Sequence, residues 1–265
     1  MDRPLSVTVL RCRTSDRTPG GALGAEALGL ALDPEARLVG TPGEARIANW
    51  DADLRDSRGC ILEAGGQVED MLAAGRFPVL TASDCTICMT TFQAVVRHSP
   101  AVRVLWLDAH GDFNTPDTTP SGFLGGMCLA AACGRWDGGH EPSLEPGRVL
   151  MCGVRDLDAG ERVLVETAGV GVARPSEVLD VLGGESVYVH LDVDVLDPDV
   201  LPSQFPVPHG LSDTGLRTLL GEVARECDVV GVEITAFEAP QDPDERARRA
   251  ALLAGMVWPL LPADG

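Results

Sequence analysis

Between residues 6 and 260 short apolar or β-branched runs alternate with Ala/Leu-rich stretches of helical period, and few folds accommodate that pattern. The strand-like runs are Ser6–Leu10, Ala36–Val39, Phe77–Thr81, Val102–Leu107, Val149–Gly153, Val170–Ala173, Ser186–Leu191 and Val229–Ile234. Between them Gly21–Leu32, Leu62–Ala74, Thr86–His98, Ala159–Ala168, Ser176–Leu182, Thr214–Glu226 and Pro243–Leu260 read as helices. The alternation predicts an α/β protein: a three-layer α/β/α architecture with a mostly parallel sheet of about eight strands, covered on both faces. In such a sheet function lies at the carboxyl ends of the strands. No Ser/Gly or charge-rich linker breaks the pattern, so a single domain over residues 1–265 is expected.

Two strand ends carry unusual chemistry. Val104–Leu107 is a buried-strand run that delivers Asp108, His110 and Asp112 at every second position. In an extended chain these side chains point the same way. Val187–Leu191 runs likewise into Asp192 and Asp194. Unpaired buried charge is expensive, so carboxylates and an imidazole converging at two strand tips call for a cation. Strand-end aspartates also cap helices, but two such clusters together point to a hard-metal site.

Composition narrows the function. A net charge of -19 argues against nucleic acid and against anionic membrane surfaces as partners. The eight cysteines lack the paired spacing of zinc sites; Cys85 and Cys88 have no second pair. The opening Met-Asp-Arg-Pro-Leu has no apolar signal region and no run reaches membrane-spanning length. A reduced, cytoplasmic setting is expected.

At Asp108-Ala-His110-Gly-Asp112 together with Asp192-Val-Asp194, the sequence resembles the ureohydrolase family of arginases and agmatinases. The resemblance spans most of the chain. It implies an arginase-like fold, a pair of Mn²⁺ ions that activate water for attack on a guanidinium carbon, and trimeric or hexameric assembly. It also implies that Asp108 and Asp192 bridge the two metals, that His110 and Asp194 complete one position, and that Asp112 belongs to the other. Asn114-Thr-Pro116 with Ser121-Gly122 resembles the segment that holds a substrate α-carboxylate. Asp158 and Glu161 match the residues that receive the α-amino group. An arginine-type amino acid is thereby implied.

Three departures qualify the match. Where the family supplies a further metal ligand in Gly-Gly-Asp-His, this chain reads Ala82-Ser83-Asp84-Cys85. A thiolate is soft for manganese, so that position is expected to be weak or empty, with zinc or iron capture the alternative. Cys85 reads equally as a small buried hydrophobe. Gly125 stands where arginases carry a proton-shuttling histidine, so another group or water must supply that proton or the leaving group must need less help. His209, on a later loop, reads either as a stand-in or as an ordinary loop histidine. In Gly231–Pro240 the position of the guanidinium-pairing glutamate is Ala236, with Glu238 two residues on. His190, two residues before Asp192, reads as a core or supporting residue.

The missing groups are those that handle a protonated guanidinium. They favour a less basic hydroxyguanidine, as in the divergent arginase-like branch of Nω-hydroxy-L-arginine hydrolases, which this chain resembles at Cys85. The expected products are L-ornithine and hydroxyurea. The alternatives are an arginase releasing urea and an inactive amino-acid-binding protein.

Overall fold

The computed structural model describes residues 3–141 and 144–262. In chain order the elements are β1 (Leu5–Leu10), α1 (Gly20–Leu32), β2 (Arg37–Val39), α2 (Trp50–Ala73), β3 (Phe77–Thr81), α3 (Cys88–His98), β4 (Arg103–Leu107) and α4 (Cys128–Ala132). There follow β5 (Val149–Cys152), α5 (Ala159–Ala168), β6 (Gly171–Ala173), α6 (Val178–Leu182), β7 (Ser186–Asp192), α7 (Asp213–Glu226), β8 (Asp228–Thr235) and α8 (Pro243–Val257). The eight strands form one sheet in the order β2-β1-β3-β8-β7-β4-β5-β6. Every pairing is parallel.

Strand alternation sorts the side chains between two layers. Val187, Val189 and Leu191 of β7 pack with Leu28 of α1, Leu220 of α7 and Leu253 of α8. Tyr188 of β7 turns the other way, toward Ile61 of α2 and Phe92 of α3. Each such large apolar side chain contributes roughly 1.5–3 kcal/mol through burial. Strand order matters more for function. The central strands β3, β8, β7 and β4 are neighbours, so Cys85, Thr235, Asp192 and Asp108 meet on one edge although 150 residues separate the first two.

Two sequence expectations need correcting. Helix α2 begins at Trp50, not Leu62. Its added turns bury a polar stripe in place of an apolar one: Asp53 pairs with Arg13 at 2.7 Å, and the Ser57 hydroxyl donates to the Asp53 carbonyl. Apolar periodicity is blind to such a stripe. The cysteines are not all reduced thiols: Cys12, after β1, is joined to Cys60 of α2 in a disulfide. No helix among the described residues is long and apolar enough to cross a membrane.

Candidate active site

Apart from Asp108, His190 and His209, the catalytic, substrate-binding and metal-type residues singled out from the sequence line one cavity of about 260 Å³ at the carboxyl edge of the sheet. Asp108 lies directly beneath it, buried, with its Oδ1 3.4 Å from His110 Nδ1. His209 is not brought there. It borders a separate groove with Arg155, and its backbone N–H donates to Asp197 Oδ2 at 2.8 Å.

The aspartates converge through turns more than through strand alternation. Strand β4 ends at Leu107; the His110 N–H then donates to Asp108 Oδ1 at 2.6 Å, and Asp112 takes the left-handed φ of 48°. Asp192 closes the same kind of turn by accepting from the Asp194 N–H at 2.7 Å. The two tips are stitched together: Asp194 Oδ1 accepts from the Ala109 N–H at 3.0 Å, and Asp194 Oδ2 lies 2.9 Å from His110 Nδ1. Trp106 Nε1 donates to Asp108 Oδ2 at 3.0 Å, which fixes the orientation of that carboxylate.

The electrostatics show what the cluster lacks. Burial, with the charge of Asp194 adding to it, pushes Asp108 up to about 7. Burial first and neighbouring carboxylates second raise Asp112 and Asp192 well above the usual carboxylate range. Burial alone would lower His110, but hydrogen bonds to Asp108 and Asp194 push it up to about 12. Those bonds also outweigh burial at Asp194 and lower it. Among the described residues, His110 is the one cationic side chain in hydrogen-bond contact with any of these four buried carboxylates. A divalent ion would reverse both the repulsion and the desolvation cost. Oxygen donors with one imidazole fit a hard divalent metal, and the ligand atoms of Asp108, His110 and Asp194 lie within 4.8 Å of one another.

Below the tips sits a buried polar column. Cys85 Sγ lies 2.9 Å from Asp192 Oδ2, 2.9 Å from Thr235 Oγ1 and 3.2 Å from His190 Nε2. Burial, followed by the charge of Asp192, raises the Cys85 thiol well above its ordinary value. His190 Nδ1 is 2.6 Å from Glu233 Oε1, and the Tyr188 hydroxyl donates to Glu233 Oε2 at 3.1 Å. His190 also stacks flat on Trp106, with ring centroids 3.6 Å apart.

The substrate-side residues are partly committed elsewhere. Glu161 lines the cavity, but its oxygens accept from the Phe113 N–H at 2.8 Å and the Asp158 N–H at 3.1 Å. Burial raises it to about 7. Asn114 Nδ2 donates to Asp158 Oδ2 at 3.0 Å. Glu238 accepts from the Thr18 hydroxyl at 2.7 Å and the Gly20 N–H at 3.0 Å, so it holds the start of α1. Ala236 carries a left-handed φ of 61°, a strained value for a residue with a Cβ. At Gly125 an added Cβ would stand 2.4 Å from the Phe123 ring, which occupies the space a larger side chain would need.

Arg17 was missed by sequence reasoning. It follows β1, lines the cavity, and holds its guanidinium 4.5 Å above the Phe123 ring. No motif marks it; the available signal was its place at the same carboxyl edge as the metal-type residues. Phe123 and Phe205, 4.9 Å apart, line the cavity beside it.

Residues 45–260 match the model of the arginase family, and the chain belongs to that family. Its members depend on a binuclear metal centre, and this chain is an amidinohydrolase, acting on C–N bonds of linear amidines. Among its relatives, an N(omega)-hydroxy-L-arginine amidinohydrolase of Streptomyces lavendulae is 34% identical over 98% of both chains. An arginase of Bacillus caldovelox is 32% identical, covering 85% of this chain and 81% of that one. The solved fold of Bacillus caldovelox arginase superposes with a TM-score of 0.81 at 24% identity over 99% of each chain.

Proposed function

We propose that this chain hydrolyses Nω-hydroxy-L-arginine to L-ornithine and hydroxyurea, with manganese as its metal. The observation that carries the reading is that none of the three groups considered for handling a guanidinium is free at its place. Position 125 is glycine walled by Phe123, Ala236 offers only a methyl group, and both oxygens of Glu238 are engaged by Thr18 and Gly20. A protonated guanidinium is a poor electrophile with a demanding leaving group. A hydroxyguanidine is less basic and leaves more readily, so it needs those groups less.

Asp108, His110, Asp192 and Asp194 would hold the manganese, whose Lewis acidity makes water nucleophilic near neutral pH. The chain's own residues bind and orient the amino acid. Arg17 and the Ser121 hydroxyl receive the α-carboxylate, and Asp158, fixed by Asn114, receives the α-amino group. Phe123 and Phe205 restrict water at the reacting end. The 34% identical relative named for this reaction supports the assignment.

The test is to incubate the manganese-loaded protein with L-arginine and with Nω-hydroxy-L-arginine and to quantify ornithine. Preferential turnover of the hydroxylated substrate is expected. Equal or faster turnover of arginine would make the protein an arginase, and turnover of neither would make it a binding protein.

A further inference from the structure

The sulfur of Cys85 is overcommitted as a thiol. It has one proton, and three polar side-chain atoms crowd it: Asp192 Oδ2 at 2.9 Å, Thr235 Oγ1 at 2.9 Å and His190 Nε2 at 3.2 Å. The imidazole presents Nε2 as an acceptor because Nδ1 is spent on Glu233, 2.6 Å away, and Glu233 is held in turn by Tyr188. A carboxylate fixing the far nitrogen of an imidazole, so that the near nitrogen keeps its lone pair, is the arrangement that orients a metal-ligating histidine. Stacking on Trp106 locks the ring in that pose. All of these groups are buried, so the mismatch is not relieved by bulk water.

A cation beside the sulfur would draw on the lone pairs of Cys85 and His190 together. The ligand atoms of Cys85, Asp108 and His190 lie within 4.8 Å of one another. We propose that Cys85 and His190, with carboxylate oxygens of Asp108 and Asp192, form a seat for a thiophilic divalent ion, zinc in preference to manganese. The set is one thiolate, one imidazole and carboxylate oxygen, which matches zinc donors; manganese prefers oxygen. Binding converts the S–H to thiolate and releases its proton to solvent. The Asp108/His110/Asp194 position remains the hard-metal position, so one edge of the sheet holds two positions of different metal preference. The inference rests on the metal dependence of the family and not on which guanidino compound is the substrate.

The experiment uses the full chain freed of metal, saturated with Mn²⁺, then titrated with Co²⁺ as a spectroscopic stand-in for zinc. A near-ultraviolet thiolate-to-cobalt charge-transfer band is expected, saturating at one cobalt per chain. Zinc should displace it, excess manganese should not, and Cys85→Ser should abolish it. In His190→Gln, which can still hydrogen-bond Glu233, zinc affinity should fall by about tenfold or more, the scale on which even supporting residues of metal sites act. Should that variant fail to fold, X-ray absorption of the wild-type zinc form gives the same answer. It should show a sulfur scatterer at about 2.3 Å and nitrogen at about 2.0–2.1 Å. Absence of the band while manganese binds normally, its displacement by manganese, or a zinc shell without sulfur would overturn the proposal. So would unchanged zinc affinity in folded His190→Gln. No step involves substrate, so failure here leaves the hydroxyarginine reading standing, and failure to release ornithine leaves this one standing.

Discussion

The two faces of the central strands are built on opposite principles. On one, Leu105, Val189 and Ile234 enter a layer shared with α1, α7 and α8. On the other, the adjacent residues Trp106, His190 and Glu233 lie side by side in register and form a buried polar column under the aspartate tips. The apolar face tolerates changes that conserve volume. The polar face does not, because its buried groups satisfy one another in a connected network. The contrast shows where this fold spends stability on function: one side of β7 holds the sheet together, and the other holds donors in place for a cation.

Breaking the polar column should have the largest effect on stability. His190→Leu removes one of the two side-chain partners of buried Glu233, at a cost of about 3–5 kcal/mol in chemical denaturation. The double substitution His190→Leu/Glu233→Leu should recover most of that loss, since removing both partners is far cheaper than removing one. On the other face, Leu105→Ala should cost roughly 2–5 kcal/mol while leaving metal content unchanged. A matching loss of metal would mean the two faces are not independent.

The comparison can be sharpened within the cavity. Cys85→His exchanges the soft donor for an imidazole and should raise manganese content toward two per chain by metal analysis. Manganese affinity should be weaker at pH 6 than at pH 8. Asp108, held near 7, and His110, held near 12, must release protons to bind a cation, so affinity rises with pH and does not fall. Arg17→Gln should raise KM for the amino-acid substrate about tenfold, the value of one charge-assisted hydrogen bond, and leave KM for the decarboxylated analogue unchanged. Glu238→Gln should change kcat least of all, because its carboxylate faces Thr18 and Gly20.

The apolar face was legible in the sequence because period-2 alternation is a local signal. Ser6–Leu10 and Ser186–Leu191, for example, were placed to within one residue of β1 and β7. The aspartate tips were legible as closely spaced acids after those runs, although turns and not alternation bring them together. What escaped depends on partners distant in sequence. The polar buried stripe of α2 makes sense only once Arg13 and Cys12 are packed on it. His190 could be read as a core residue, but its sulfur partner lies 105 residues away. Glu161 and Glu238 look like free acids in one dimension, and only the fold reveals the backbone N–H groups they accept from. His209 shares a loop region with the site and still faces another groove.

Metal content of the purified protein and of Asp192→Ala, measured alongside thermal unfolding, tests the central claim most directly. The account predicts a tightly held divalent ion in the wild type and its loss from a variant that still unfolds cooperatively. A wild type that binds no divalent ion, or a folded Asp192→Ala that keeps its full complement, would contradict it.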